Sequence, residues 1–191
     1  MTDASSAAPE PLQLDLPAAH SACRMARHMA REFAATCGLD EDRIQTLEFV
    51  VGELLDNAVD HGGGQAAMDE ADLESDVRMK LELSASPGGW SVRVDDQGGG
   101  DPDRLRAVLA DDAMPDLEDE RGRGLTLLVH MVDRMEVERS RDGLGLAVIA
   151  SSGDGATPAS APANDPPAND PPISDPPISD PPASDPPAAN G

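Results

Sequence analysis

The stretch LEFVVGELLDNAVDHGGG, Leu47–Gly64, carries the decision about this chain. Its apolar residues recur at helical spacing, and three closing glycines stop the helix. Glu53, Asn57 and His61 stand at i, i+4 and i+8, so a carboxylate, an amide and an imidazole share one face. At about 100° per residue Asp56 and Asp60 join that arc, with Val51, Leu55 and Val59 opposite. Such an arc is either a solvated face or one wall of a site. For Asp56 and Asp60 the solvated reading is the better one. Asn57 offers a carbonyl oxygen, a ligand type that suits Mg2+. Glu53, one turn earlier, is placed to act on a hydroxyl or water near that ion.

Working outward, CGLD precedes this helix: Gly38 ends an earlier helix of about His20–Thr36, and Asp40 caps the next, from about Glu41 to His61. Upstream, Leu12, Leu14 and Leu16 alternate with polar residues as a short strand that Pro17 ends. Downstream, Val77–Leu83 and Trp90–Asp96 read as strands on either side of the turn PGG. A short helix is expected near 102–110 and another over about 125–134. Met135–Arg139 and Leu144–Ala150 read as a hairpin across Asp142–Gly143. Helices grouped with antiparallel-reading strands, rather than alternating with them, predict an α+β fold, a two-layer α/β sandwich.

The strand WSVRVDD supplies a second clue. Trp90, Val92 and Val94 share one face, and Asp96 continues that apolar face. A carboxylate at buried parity needs hydrogen-bond donors or a cation. Three glycines follow at once and permit close backbone approach to a ligand. Trp90 itself reads as core.

Phosphate recognition has few candidates. The only lysine, Lys80, lies at an outward strand position, and there is no GxxxxGK[ST] or protein-kinase signature. ERGRGL fits an anion, and equally a flexible helix entry: Gly122 and Gly124 precede a helix whose first-turn N–H groups can face an anion, with Arg121 and Arg123 beside them. His130 reads as exposed, and His20 and His28 have no polar constellation around them in the sequence.

Composition bounds the partners. The formal net charge is −23, and residues 1–150 alone hold 31 acids against 14 bases. Phosphate backbones and anionic membranes would be repelled, which argues against direct nucleic-acid or membrane binding. No apolar run approaches eighteen residues and no signal-peptide pattern opens the chain, so a soluble, cytoplasmic protein is expected. Cys23 and Cys37 lie 14 residues apart, about 20 Å on one helix, too far for a disulfide. Both read as packing or surface thiols.

Three elements in order, E-x-x-x-N-x-x-x-H on a helix, D-x-G-x-G after a strand and G-R-G-L opening a helix, resemble the N, G1 and G2 boxes of GHKL-type ATPases. That superfamily includes histidine kinases, Hsp90, gyrase and MutL. The flanking RHMAREFAATCGLDEDRIQTLEFVVGELLDNAVDHG is similar to the N-terminal half of bacterial anti-sigma factor serine kinases. The resemblance implies the Bergerat ATP-binding fold, a mixed, mostly antiparallel sheet with helices on one face. It also implies ATP and Mg2+ as cofactors. Asn57 would ligate Mg2+, Glu53 would be the catalytic base, and His61 would lie on the phosphate side. Asp96 would accept from the adenine amino group, and Gly98 and Gly100 would shape the adenine pocket and hinge a lid at about 101–121. Gly122, Arg123, Gly124 and Leu125 would contact the nucleotide. Asp101 departs from the pattern, because an apolar residue often follows the last glycine of that box.

The implied function is an anti-sigma regulatory factor with serine/threonine kinase activity toward a STAS-domain antagonist. It would work by switching partners between that antagonist and a sigma factor; members of the family commonly form homodimers. The alternative is a non-catalytic nucleotide-sensing module that sequesters a sigma factor or other regulator. A detached histidine kinase catalytic domain ranks below both. The organisation expected is a flexible N-terminus at 1–10, the ATP-binding domain at 11–150 and a disordered tail at 151–191. Within that tail, residues 163–187 are five pentads with ten prolines. Such a segment buries too little apolar surface to offset ordering and should extend as polyproline II, up to about 80 Å long.

Overall fold

Among the described residues, the predicted alternations and helical spacings resolve into five strands and four helices. A computed structural model of the chain describes residues 9–61, 77–110 and 123–153. The order is β1 (Leu12–Pro17), α1 (His20–Thr36), α2 (Glu41–Asp60), β2 (Arg78–Ser86), β3 (Gly89–Asp95), α3 (Pro102–Leu109), α4 (Arg123–Met131), β4 (Arg134–Arg139) and β5 (Leu146–Gly153). The chain divides into one unit over Met1–Ala159 and a second over Ser160–Gly191. The second unit, and with it the pentad tail, lies outside the described residues.

The strands form one sheet in the order β1-β2-β3-β5-β4. Every pairing in it is antiparallel, so the parallel component of the expected mixed sheet is absent among the described strands. The register aligns Leu14, Leu81, Val94, Val148 and Val137 across all five strands. That row belongs to the inner, apolar face. Leu47, Val50, Val51, Leu54 and Leu55 of α2 pack against this face, which also carries Trp90 of β3, fully buried as expected. Ala22, Ala26, Ala30 and Ala34 give α1 a side-chain-poor stripe and a close approach to the same core. Each large apolar side chain buried this way contributes roughly 1.5–3 kcal/mol.

Both predicted caps between α1 and α2 are present. Gly38 takes φ +82° and donates to the Ala35 carbonyl, while the Leu39 N–H reaches Ala34 O, closing a Schellman motif. Asp40 then accepts from the Arg43 N–H at 3.0 Å. Other boundaries shift. β2 runs on to Ser86, because Ser84, Ala85 and Ser86 pair with Ser91, Trp90 and Gly89. α4 begins at Arg123 and ends at Met131, earlier at both ends than expected. The β4–β5 connection is a six-residue loop, Ser140–Gly145, longer than the four residues left between the expected strands. Asp142 builds it by accepting from Ser140 Oγ and the Leu144 N–H, with Gly143 at φ +75°. Cys23 is buried, Cys37 half-buried, and both are free.

The outer face of the sheet is polar yet partly closed. Arg93 is buried there and grips Asp95 with two parallel bonds of 2.8 and 2.9 Å. It also pairs with Glu138 on β4. Asp95 accepts further from the Arg141 N–H. Removing one member of such a buried network leaves an unpaired charge, which costs about 3–5 kcal/mol. Arg93→Ala is therefore expected to lower unfolding stability by about that amount in urea titration. A loss below about 1 kcal/mol would show that the network is exposed to water in solution.

Candidate functional site

α2 supplies one wall of a cavity of about 390 Å³ between the sheet and the loops that follow β3. Ligand pockets run from roughly 300 to 1,000 Å³, so the space suits a nucleoside-sized molecule. Leu54, Ala58, Val94, Leu105, Leu125 and Val148 make its lining largely apolar. Asn57, His61, Asp96, Asp101 and Arg104 are its polar members, and Gly100 and Leu146 also line it.

Asp96 sits where β3 leaves the sheet. Its own N–H donates to Leu146 O at 2.8 Å, continuing the β3–β5 ladder by one residue. Its Oδ1 accepts from the Gly98 N–H at 2.9 Å and the Leu146 N–H at 3.1 Å. No hydrogen bond from the described residues reaches Oδ2, which stays available to a donor in the cavity. Burial raises the Asp96 pKa, the two backbone donors oppose that, and the charges of Asp95 and Asp142 add to it.

The glycines around this carboxylate differ in what they do. Gly98 donates to it, and Gly99 rather than either boxed glycine takes positive φ, +73°. A Cβ on Gly100 would meet Leu146 Cδ1 at 2.8 Å, so its bare backbone lets the loop close on β5. Asp101 accepts from the Asp103 N–H at 3.0 Å and caps α3. Its departure from the expected apolar residue thus has a structural use.

Asn57 is oriented by its own helix. Its Nδ2 donates to Glu53 O at 2.6 Å, which leaves the amide oxygen Oδ1 as the group to present outward. Glu53 itself does not line the cavity. It lies beside Asn57 beneath the start of α4, where a Cβ on Gly124 would collide with its Oε2. Burial raises the Glu53 pKa, the neighbouring Asp56 adds to the rise, and Arg27 opposes it. His61 caps the end of α2 and reaches the same cavity.

The structure therefore brings together Asn57, His61, Asp96, Gly100 and Leu125 at one cavity, with Gly98 and the Glu53–Gly124 pair adjoining it. Arg123 opens α4. Its side chain, Gly122 and most of the expected lid lie outside the described residues.

Sequence reasoning missed three features. Gly145 must lack a side chain, because a Cβ there would strike Asp96. The signal was available: Gly143 already serves the turn, which leaves Gly145 without a turn duty. Arg104, on α3, is the one Lys or Arg among the described lining residues, and nothing in its local pattern marks it. His20 lacked an expected constellation, yet its ring lies 3.1 Å from Asp56 and 3.3 Å from Asp60. Those two acids therefore face a partner on α1 rather than water alone.

The model of the histidine kinase-like ATPase domain matches residues 16–152. The chain belongs to that family. ATP binding comes with the family. No curated protein matches the chain. Among solved structures it is similar to the RsbU and RsbW domains of Rv1364c from Mycobacterium tuberculosis, at 19% identity and a TM-score of 0.46. That match covers 76% of this chain and 32% of the other, so the ATPase domain spans about a third of that protein's length. No described helix is long and apolar enough to cross a membrane.

The raised Asp96 pKa has a consequence for stability. The folded state holds this proton more tightly than the unfolded chain, so its contribution is lost as pH rises from the ordinary carboxylate range through the raised value. Asp96→Asn keeps an oxygen for both backbone donors and removes the buried charge. The free ATPase domain is then expected to melt at the same or a higher temperature at pH 7, with the gain shrinking as pH falls through that window. A destabilised variant at pH 7 would show that the charge itself holds the loop.

Proposed function

We propose that this ATPase domain is an anti-sigma regulator that transfers the γ-phosphoryl group of ATP to a Ser or Thr of a STAS-type antagonist. In this reading it holds a sigma factor in one state and the antagonist in the other. The observation that supports catalysis is Glu53: a carboxylate with raised proton affinity, one helical turn from Asn57 and covered by the bare backbone of Gly124.

The adenine ring lies between the apolar walls, and its amino group donates to Asp96 Oδ2. The same apolar contacts keep water from the base. Asn57 Oδ1 would hold Mg2+, which would neutralise phosphate charge when bound; the hydrogen bond from Asn57 Nδ2 to Glu53 O keeps that oxygen turned outward. The phosphates extend toward the N-terminus of α4, where Gly124 lies; the resemblance adds Gly122 and Arg123 as further phosphate contacts. His61 stands on the phosphate side, and Gly98 and Gly100 fit the loop to the base. The partner's hydroxyl oxygen bonds to the γ-phosphorus while the bond to the β-phosphate oxygen breaks. Glu53 takes the hydroxyl proton, and ADP leaves. A proton affinity raised by burial makes Glu53 a better acceptor than an exposed glutamate.

Glu53→Gln separates this reading from a non-catalytic nucleotide-sensing module. With γ-labelled ATP and the cognate antagonist, the variant should keep ATP affinity within about twofold and lose roughly 10²–10⁴ in transfer rate. If the wild type binds ATP yet labels no Ser or Thr, the kinase reading fails and the binding module stands.

The binding site has its own check. Loss of a hydrogen bond to a charged group costs about 1.5–3 kcal/mol, roughly 10- to 150-fold in affinity. Asp96→Asn should weaken ATP by at least tenfold in calorimetric titration. Asn57→Ala should weaken it only while Mg2+ is present. Unchanged affinity in both variants would remove the cavity as the nucleotide site.

A further inference from the structure

On the seam between α1 and α2, away from the cavity, three chemically different ligand groups converge. His20 and Cys23 stand at i and i+3 on the first turn of α1, and Asp56 comes across from α2. A ring nitrogen of His20, the Cys23 sulfur and a carboxylate oxygen of Asp56 all lie within 4.8 Å of one another. Cys23 is fully buried, while His20 and Asp56 are partly exposed and leave a path from solvent.

The hydrogen-bond inventory of His20 is unusual. Nδ1 lies 3.1 Å from Asp56 Oδ1, and Nε2 lies 3.3 Å from Asp60 Oδ1. A neutral imidazole donates from one nitrogen only, so one of these contacts sets a lone pair against a carboxylate unless a proton or a metal ion lies between. A metal ion resolves the conflict with a recurrent arrangement, in which a ligating His donates its other N–H to a carboxylate. Asp60 is placed for that on Nε2, which leaves Nδ1 to ligate.

The distances agree with this choice. Tetrahedral ligands at about 2.0–2.1 Å from Zn2+ stand roughly 3.3 Å apart, close to the separation of Nδ1 and Asp56 Oδ1. The sulfur, within 4.8 Å of the other two ligand atoms, completes the set, with solvent in the fourth position. Its thiol now donates only to Ala19 O, at 3.4 Å, and toward Asp56. Burial first, and then Asp56, push the thiol up to about 12, so a bound cation has to displace its proton. Mg2+ and Ca2+ prefer oxygen sets; a thiolate, an imidazole and a carboxylate together select a softer ion.

We propose that His20, Cys23 and Asp56 bind a borderline-soft divalent ion of the Zn2+ type, with Asp60 orienting the His20 ring. The ion ties the start of α1 to the last turns of α2 and releases the thiol proton to solvent. None of the three ligands lines the nucleotide cavity, so the site stands or falls independently of the ATP reading.

The test titrates the full chain, freed of metal by chelation, with Co2+. One Co2+ per chain should give a thiolate-to-cobalt charge-transfer band in the near ultraviolet, and Zn2+ should abolish it. A cobalt ion at the nucleotide site would give no such band, because no thiol lies there. Cys23→Ser should remove the band and Cys37→Ser should keep it. His20→Ala should weaken Zn2+ by more than the roughly 10- to 100-fold typical of losing an outer carboxylate, and Asp60→Asn should fall within that range. His20 is partly exposed, so its variant is informative even if Cys23→Ser does not fold. Zn2+ should also raise the melting temperature of the wild type and not of His20→Ala. No band in the wild type, or its loss only in Cys37→Ser, overturns the proposal; a proton then fills the gap between His20 and the two acids.

Discussion

The geometry of the cavity depends on one carboxylate at the end of β3. Asp96 joins β5 through its own N–H and through Oδ1, and the same oxygen holds the Gly98 N–H. Gly145 lies against it where a Cβ would collide, and Gly100 lies where a Cβ would strike Leu146. One oxygen thus organises the floor of the cavity from both strands while the other is left for a ligand. Its burial works against its ionisation, so the free protein bears a cost that a hydrogen-bond donor in the cavity would relieve.

α2 transmits that arrangement to the other wall. Its apolar side packs on the sheet through Leu47, Val50, Val51 and Leu55, which sets the rotation of the whole helix. That rotation turns Leu54, Asn57, Ala58 and His61 to the cavity and Asp56 and Asp60 to α1. Glu53 falls between these sectors, under α4. The contact of Gly124 with Glu53 then couples the start of α4 to the carboxylate, because any side chain at that position would have to displace it.

Much of this was legible from spacing. Alternation and capping located every described strand and helix, because Gly38 and Asp40 perform the backbone tasks that their residue types suggest. Asp96 stood out because it broke an apolar alternation, and it meets the cavity for that reason. The misses share a cause: they depend on contacts between segments far apart in sequence. Gly145 is close to Asp96 only through the β3–β5 register, and His20 meets Asp56 and Asp60 only because α1 lies against α2. The six-residue loop at 140–145 was misjudged because Asp142 uses its side chain to build the turn, where the Asp-Gly pair alone suggested a tighter one.

Net charge looks hostile to a triphosphate, yet the local distribution is less so. The described basic groups are mostly committed: Arg31 to Glu41 and Glu48, Arg78 to Asp15, Arg93 to Asp95 and Glu138, and Arg141 to Glu82. Arg104 alone among them brings a guanidinium to the cavity lining. Burial also raises the proton affinity of Asp96 in the cavity lining and of Glu53 beside Asn57, so neither holds its negative charge as readily as an exposed acid. Neutralisation of the phosphates would then rest on ions, backbone N–H groups and arginine rather than on lysine, of which the chain has only Lys80. On this electrostatic ground, nucleotide affinity should depend on a divalent ion more steeply than in a lysine-rich site, and a chelator should act on this chain as a release signal for nucleotide.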